Sequence, residues 1–232
     1  MLTDKVGMAL SLSAPPSLVI FDCDGVLVDT ETIANRMLVR VLADEGLSIS
    51  YEESRRLFLG KTMEAVMAYV EGVTGRALRP DWVDFIRDET LKAFSVGIEA
   101  VPHVRDVLED LRVRGVPYCV ASSGKFEKMR FTLGSSGLLP LVDDVLFSFE
   151  QVGRGKPWPD LFLFAAKSMG FAPASCVVIE DSIPGVQAAV AAGMPVFGYA
   201  GDPHTDADGL KTEGAHVFHD MSALMGLLRL SA

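Results

Sequence analysis

Five short apolar runs constrain the fold of this chain more than any other feature of its sequence. Each run is continuous rather than alternating, and together they cover residues 18–21, 116–121, 145–149, 176–179 and 195–199. Continuous apolar runs of this length are typical of strands that are buried on both faces, as in a parallel sheet. Helical patterns lie around and between the runs, at residues 103–114, 125–135, 159–169 and 184–192. Strands that alternate with helices predict a doubly wound α/β domain.

Residues 31–96 break this alternation, because four helical segments follow one another there without a convincing strand. The segments cover residues 31–45, 51–59, 62–73 and 81–94, and Gly46, Gly60 and residues 75–80 separate them. We therefore predict an inserted all-helical domain at 31–96, within an α/β core formed by residues 17–30 and 97–232. Residues 1–16 are expected to be a flexible leader, since a weak apolar patch near Asp4 makes a poor signal peptide.

Composition excludes several classes of partner. The chain has 232 residues and a formal net charge of −10, so its long-range field repels nucleic acids and anionic membranes. It has no apolar stretch of the roughly 18–20 residues that cross a bilayer. Its three cysteines, Cys23, Cys119 and Cys176, lie in or just after strand-like runs, which indicates reduced thiols. We expect a cytoplasmic protein, monomeric or weakly homo-oligomeric, that binds neither nucleic acid nor membrane.

The first strand runs directly into two aspartates. Residues 19–31 read VIFDCDGVLVDTE, with Asp22 and Asp24 at the carboxyl end of the apolar run. In an open parallel sheet, ligands bind outside the carboxyl ends of the strands. One carboxylate there can attack phosphorus, and a second can protonate the leaving oxygen and later activate water. Taken alone, an Asp-x-Asp-Gly turn is equally compatible with an acidic turn that caps a helix.

Two further segments offer groups that bind phosphate. Residues 120–124, VASSG, place Ser122, Ser123 and the following amides at a strand end that opens a helix, where a hydroxyl and backbone donors can hold an anion. Residues 155–160, GKPWPD, fix Lys156 between a glycine and a proline just before a helix. Each signal has an ordinary alternative, a common turn for the serines and a mobile surface charge for the lysine.

A fourth segment ends in two acids. Residues 176–182 read CVVIEDS, so that Glu180 and Asp181 close a fully apolar strand. Burying such acids is costly unless a metal or a base satisfies them. With Asp22 they make an oxygen-rich set that suits a hard cation such as Mg2+. Four polar groups are thus expected at one edge of the sheet.

These four elements, in this order, resemble the haloacid dehalogenase superfamily of phosphotransferases, over residues 18 to about 228. The resemblance implies a Rossmann-like core and identifies the helical insert as similar to the family's C1 cap. It also implies a nucleophile, a general acid/base whose backbone carbonyl meets the metal, a phosphate-binding hydroxyl and lysine, and an acidic pair that holds Mg2+. By this resemblance Asp22 is the nucleophile and Asp24 the general acid/base. Ser122 and Lys156 are the phosphate-binding hydroxyl and lysine, and Glu180 with Asp181 is the acidic pair.

Departures from the pattern discriminate between branches of the superfamily. Its dehalogenases lack the second aspartate and bind no Mg2+, whereas Asp24 is present here. The β-phosphoglucomutase branch has a histidine four residues after the Thr30 position, where this chain has Ala34, and its arginine after the cap glycine is replaced by Lys61. The resemblance therefore favours a phosphatase over a mutase. A catalytically inactive scaffold that binds a metabolite is a third alternative.

The substrate expected from the resemblance is a small phosphorylated metabolite, hydrolysed through an aspartyl phosphate. The first motif and the start of the cap at Asn35 and Arg36 look similar to bacterial phosphatases that act on 6-phosphogluconate and related sugar phosphates. Lys61 and Arg36 are candidates to bind a carboxylate or hydroxyls of a sugar phosphate or sugar-acid phosphate. Solvated charges on the cap surface are the alternative for both. Trp158 stands where relatives have a small residue and is a candidate to narrow the site entrance.

Overall fold

The computed structural model describes residue 12 and residues 14–58 and 61–230. Most of the expected leader, and Leu59 and Gly60 in the helical insert, lie outside the described residues. The chain divides into two compact units. One comprises the described residues up to Val28 and those from Ala100 onward, and the other is Asp29–Glu99. The boundaries expected from the sequence, at 30/31 and 96/97, lie close to this division.

A parallel sheet forms the centre of the first unit and confirms the predicted fold class. In the described residues its strand order is β3-β2-β1-β4-β5-β6. The central strand places Phe21 opposite Val120 on one side and Ile179 on the other. The strands are β1 (Leu18–Phe21), β2 (Tyr118–Ser122), β3 (Leu146–Ser148), β4 (Cys176–Glu180), β5 (Val196–Tyr199) and β6 (His216–Phe218).

The described residues of the second unit form four helices, at the four segments for which the sequence predicts helix. They are α1 (Thr30–Asp44), α2 (Tyr51–Phe58), α3 (Met63–Thr74) and α4 (Trp82–Val96). Local sequence sets their ends: the Asp29 side chain accepts a hydrogen bond from the Thr32 amide at the start of α1, and Thr62 caps α3 in the same way through Ala65. The unit has its own apolar core, in which Leu42, Val66, Val70 and Trp82 are fully buried.

In the described residues of the first unit, seven helices surround the sheet. They are α5 (Val104–Val113), α6 (Phe126–Ser135), α7 (Leu139–Val142), α8 (Asp160–Met169), α9 (Ile183–Ala191), α10 (Ala207–Thr212) and α11 (Leu224–Leu227). Single 3-10 turns occur at Asp143–Val145, Phe149–Gln151, Pro173–Ser175 and Met221–Ala223. On one face of the sheet, Phe162 of α8 and Val186 of α9 pack into a cluster with Ile20 and Val178. Among the described residues, no helix is long and apolar enough to cross a membrane.

The elements absent from the sequence prediction are short. Strand β6 has three residues at the edge of the sheet, and two of them are only partly buried. It therefore lacks the continuous apolar run that marks the central strands. Helices α7, α10 and α11 have only four to six residues each, too few for a helical period to show.

Candidate active site

Three neighbouring strands end at one point of the sheet edge and bring three predicted residues together. Asp22 directly follows β1, Ser122 is the last residue of β2, and Glu180 is the last residue of β4. The Asp22 amide donates to the Ile179 carbonyl at 2.9 Å, which continues the ladder past the end of β1. All three side chains are buried. The strand order, with β1 between β2 and β4, accounts for their convergence.

Lys156 connects two of these carboxylates. It lies in the loop before α8, where the Lys156–Pro157 peptide is cis. Its Nζ donates hydrogen bonds to Asp22 Oδ1 and, at 2.6 Å, to Glu180 Oε1. Burial alone would lower the pKa of Lys156, but the two adjacent carboxylates outweigh it and hold that pKa well above its usual value. The side chain, only 4% exposed, is therefore a fixed positive charge rather than a mobile surface lysine.

The environment of Asp22 penalises its ionised form. Burial, together with the nearby charge of Glu180, raises the pKa of Asp22 to about 7, against the attraction of the Lys156 ammonium. A carboxylate must be ionised to attack phosphorus. One lysine does not fully offset the desolvation of this aspartate, so the site suits an additional cation.

The Glu180 carboxylate is held entirely by the protein. While Oε1 accepts from Lys156, Oε2 accepts from the amides of Asp181 and Ser182, at 2.9 and 2.8 Å, and from the Ser182 hydroxyl at 2.9 Å. Gly185 makes room for it, because a Cβ at Gly185 would lie 1.8 Å from Glu180 Oε1. Glu180 is thus placed to orient Lys156.

The Asp181 carboxylate lies against the first motif. Gly25 has a φ of +81°, and a Cβ built there would come within 1.9 Å of Asp181 Oδ2. The Gly25 amide donates to the Val28 carbonyl at 2.8 Å, which closes the turn after Asp24. A glycine is required here for two reasons, the left-handed backbone and the space for the carboxylate.

The donors at this edge fit a magnesium ion. Mg2+ in proteins is commonly held by one or two carboxylates together with substrate phosphate and water, rather than by an all-protein cage. Asp22 and Asp181 provide two carboxylates, and both flank the turn formed by Asp24 and Gly25. Within the described residues, no group of three or more His, Cys, Asp or Glu side chains is arranged to hold a metal. Asp22 and Asp181 are the two carboxylates that could hold such an ion together with a substrate phosphate.

The predicted phosphate loop is braced from β3. The Gly124 amide donates to Ser122 Oγ at 2.9 Å, and the Gly124 carbonyl accepts from Ser148 Oγ at 2.7 Å. Ser148 is fully buried at the end of β3. The Phe126 amide, at the start of α6, donates to Glu150 Oε2 at 3.1 Å. Neighbouring Ser123 is exposed, so its predicted contact with substrate stays a prediction.

Asp24 has a partner that the sequence did not indicate. Lys128, in the first turn of α6, donates from Nζ to Asp24 Oδ2 at 2.8 Å. The lysine side chain is 39% exposed and that of Asp24 is 29% exposed. Burial opposes the charge on Lys128, but Asp24 raises the pKa of this lysine above its usual value. A lysine on an amphipathic helix usually faces solvent, so its position just after the phosphate loop was the one signal that could have indicated this contact.

The remaining predicted residues are exposed. Arg36 on α1 and Lys61 before α3 belong to the Asp29–Glu99 unit, and their predicted role in substrate binding stays a prediction. Trp158 is 52% exposed, and the Arg154 guanidinium lies over its ring, 4.6 Å from the centroid. Arg154 also forms two hydrogen bonds with Asp160 at the start of α8. The role of Trp158 at the site entrance likewise stays a prediction.

Comparison with known proteins gives the same family from three directions. A model of the haloacid dehalogenase-like hydrolases matches residues 16–193. The chain is 33% identical over 187 residues to a 6-phosphogluconate phosphatase from Escherichia coli K12, covering 80% of this chain and 83% of that protein. It is also 33% identical over 179 residues to hexitol phosphatase A of the same organism, covering 77% and 80%.

A solved structure matches nearly the whole chain. It is a HAD family hydrolase from Deinococcus radiodurans R1, determined with bound phosphate and sodium. The TM-score is 0.85 at 34% sequence identity, and the match covers 94% of this chain and 98% of that one. The match therefore extends over both compact units of the chain.

Proposed function

The chain belongs to the haloacid dehalogenase-like hydrolases and is a phosphatase, and from this premise we propose that it hydrolyses a small phosphorylated metabolite with Mg2+. One observation supports the proposal most directly: Asp22 follows the central strand with Lys156 bound to it, while Ser122 ends one neighbouring strand and Asp181 directly follows the other. This arrangement places a nucleophile, a fixed positive charge and a phosphate-binding hydroxyl at one point.

We propose a two-step transfer. The substrate phosphate binds to Ser122, the amides that follow it and Lys156. An Asp22 carboxylate oxygen attacks phosphorus, the bond from phosphorus to the leaving oxygen breaks, and Asp24 gives its proton to that oxygen. Asp24 then takes a proton from water, whose oxygen attacks the phosphorus of the aspartyl phosphate. The bond from phosphorus to Asp22 breaks, and inorganic phosphate leaves with Asp22 regenerated.

Lys156 and the metal would both stabilise the negative charge of the transferred phosphoryl group. Phosphoryl transfer proceeds through a loose transition state, so catalysis consists mainly of positioning and charge neutralisation. Lys156 is held rigidly by Asp22 and Glu180 and needs no reorganisation when the phosphate binds. When bound, Mg2+ would neutralise the charge on the phosphoryl oxygens.

The metal ligands proposed are Asp22, Asp181 and the backbone carbonyl of Asp24. The sequence led us to expect Glu180 among them. Because both of its oxygens already accept bonds from protein donors, we now assign Glu180 to holding Lys156.

The substrate class proposed is a sugar phosphate or a sugar-acid phosphate. Its support is similarity to two proteins whose names state that they act on 6-phosphogluconate and on phosphorylated hexitols. Arg36 and Lys61 are the proposed contacts for the part of the substrate that carries no phosphate. The three cysteines are buried and unbridged, which fits the cytoplasm as the proposed location.

A panel of phosphorylated metabolites tests the proposal. The panel contains 6-phosphogluconate, a hexitol 6-phosphate, β-glucose 1-phosphate and phosphoglycolate, each assayed for released phosphate with Mg2+ and with EDTA. We expect release that requires Mg2+ and falls by ~10^4-fold or more in a folded Asp22→Asn variant, which lacks the nucleophile. Wild-type turnover by that variant would refute the assignment of Asp22.

Two other outcomes would support the alternatives. Conversion of β-glucose 1-phosphate to glucose 6-phosphate without phosphate release would indicate a mutase. Absence of any turnover, with metabolite binding retained, would indicate an inactive scaffold.

A further inference from the structure

Lys128 is a charged residue of this site that belongs to none of the four motifs. It reaches Asp24 from α6, a separation of 104 positions along the chain. Lys156, by contrast, contacts Asp22 and Glu180. The two lysines therefore serve different carboxylates, one the nucleophile and the other the acid/base aspartate.

The structure fixes the path by which Lys128 reaches Asp24. A Cβ built at Gly124 would lie 3.7 Å from Lys128 Cδ, so the stem of the lysine runs along the phosphate loop. The next residue, Met129, is buried and sets which face of α6 is turned inward. Two hydrogen bonds hold this region against the end of β3. The Phe126 amide at the start of α6 donates to Glu150, and the Ser148 hydroxyl donates to the Gly124 carbonyl in the phosphate loop.

We propose that Lys128 is a positioning residue, which holds the Asp24 carboxylate in the orientation that delivers its proton to the leaving oxygen. The proposal rests on the function proposed above, in which Asp24 is the general acid. Asp24 lies two residues after Asp22, and its neighbour Gly25 lies against the Asp181 carboxylate. Like charges repel an ionised carboxylate from such a site. The ammonium of Lys128 opposes that repulsion and gives the Asp24 side chain one defined orientation.

Exposure of the pair separates this role from a structural one. An ion pair with both side chains about a third exposed contributes little to the free energy of unfolding. General acid catalysis, however, depends strongly on the geometry between the acid and the oxygen that receives its proton. Loss of Lys128 should therefore affect proton delivery far more than folding.

Two substrates whose leaving groups differ in their need for a proton test the role of Lys128. An alkyl phosphate such as 6-phosphogluconate leaves as a poor alkoxide and needs the proton of Asp24, whereas p-nitrophenyl phosphate leaves as a stable phenolate and needs it little. The rate of aspartyl phosphate formation is measured by rapid quench with both substrates and Mg2+. We expect Lys128→Met to slow this step about 10-fold or more with the alkyl phosphate and less than about 3-fold with the aryl phosphate. Lys128→Arg, which keeps the charge, should restore most of the alkyl rate.

Two further variants make the result unambiguous. Lys167→Met, the same change at an exposed lysine of α8, should leave both rates unchanged. In an Asp24→Asn background, Lys128→Met should cause no additional loss with the alkyl phosphate, because its effect acts through Asp24. If Lys128→Met destabilises the protein, Lys128→Gln is measured in its place, and thermal unfolding of each variant verifies the fold.

The possible failures are distinguishable. Equal losses with both substrates, no loss with either, or full additivity with Asp24→Asn would overturn the role of Lys128. If Asp24→Asn itself shows no dependence on the leaving group, the general acid role of Asp24 fails and the proposed mechanism fails with it.

Discussion

The nucleophile half of the site (Asp22, Lys156 and Glu180) and the acid/base half (Asp24 and Lys128) stabilise negative charge in different ways. In the nucleophile half the lysine side chain is 4% exposed and shared by two buried carboxylates, one of which is fixed by three further bonds. In the acid/base half an ion pair forms between side chains that are about a third exposed. The nucleophile must not move during the reaction, whereas the acid/base has to exchange protons with substrate and water.

The largest effect expected from this difference follows removal of Lys156. Lys156→Met leaves Asp22 and Glu180 buried without their shared cation, so we expect a loss of about 3–5 kcal/mol in the free energy of unfolding. The rate kcat should fall by ~10^2-fold or more, because a fixed charge at the phosphate is lost. Urea unfolding and steady-state kinetics measure the two effects.

Lys128→Met is the matched variant to Lys156→Met, because it removes the lysine of the acid/base half by the same substitution. It should change the free energy of unfolding by less than about 1 kcal/mol, as expected for an exposed pair. Equal destabilisation by the two methionine variants would contradict the division of the site into a buried and an exposed half.

A smaller effect is expected where the two halves meet, at Gly25. Gly25→Ala and Gly193→Ala both force alanine into a left-handed backbone, at φ of +81° and +71°, at a cost of roughly 1–2 kcal/mol each. Only the Cβ at Gly25 would collide with Asp181, since no atom lies within 4 Å of the corresponding position at Gly193. We therefore expect Gly25→Ala alone to raise the Mg2+ concentration for half-maximal activity, by about 10-fold or more. Identical metal titrations of the two variants would show that Asp181 does not hold the metal.

The smallest effects are expected in the helical unit, which contributes no carboxylate to either half. Arg36→Ala and Lys61→Ala should each raise KM for 6-phosphogluconate by about 5-fold with little change in kcat, because an exposed charge contributes only about 1 kcal/mol. KM for p-nitrophenyl phosphate, which lacks a carboxylate and hydroxyls, should stay the same. A loss of kcat with both substrates would instead assign these residues to the chemical step.

The central sheet and the convergence of the motif residues could be predicted because their cause is local. Strand β1 was predicted with its observed limits, Leu18–Phe21, since a continuous apolar run ends there at an aspartate. Parallel strands then bring Asp22, Ser122 and Glu180 to one edge, whatever the details of packing. The same reasoning could not find β6, whose edge position needs no continuous apolar run.

The pairing of charges could not be predicted because it depends on tertiary geometry. Lys128 reads as an ordinary surface residue of α6, and only the packing of that helix beside the phosphate loop brings it to Asp24. Likewise, the acidic pair at 180 and 181 gave no sign that its members differ. The structure shows Glu180 enclosed by protein donors and Asp181 turned toward Gly25.

Trapping the intermediate tests the central claim, that Asp22 is the nucleophile, most directly. The enzyme is quenched with acid during turnover of 6-phosphogluconate or p-nitrophenyl phosphate with Mg2+, then reduced with borohydride, which converts an aspartyl phosphate to homoserine. Peptide mass spectrometry locates the converted residue. We predict conversion of Asp22, dependent on substrate and Mg2+ and absent from Asp22→Asn. Conversion of a different carboxylate, with Asp22 unchanged during full turnover, would contradict the mechanism.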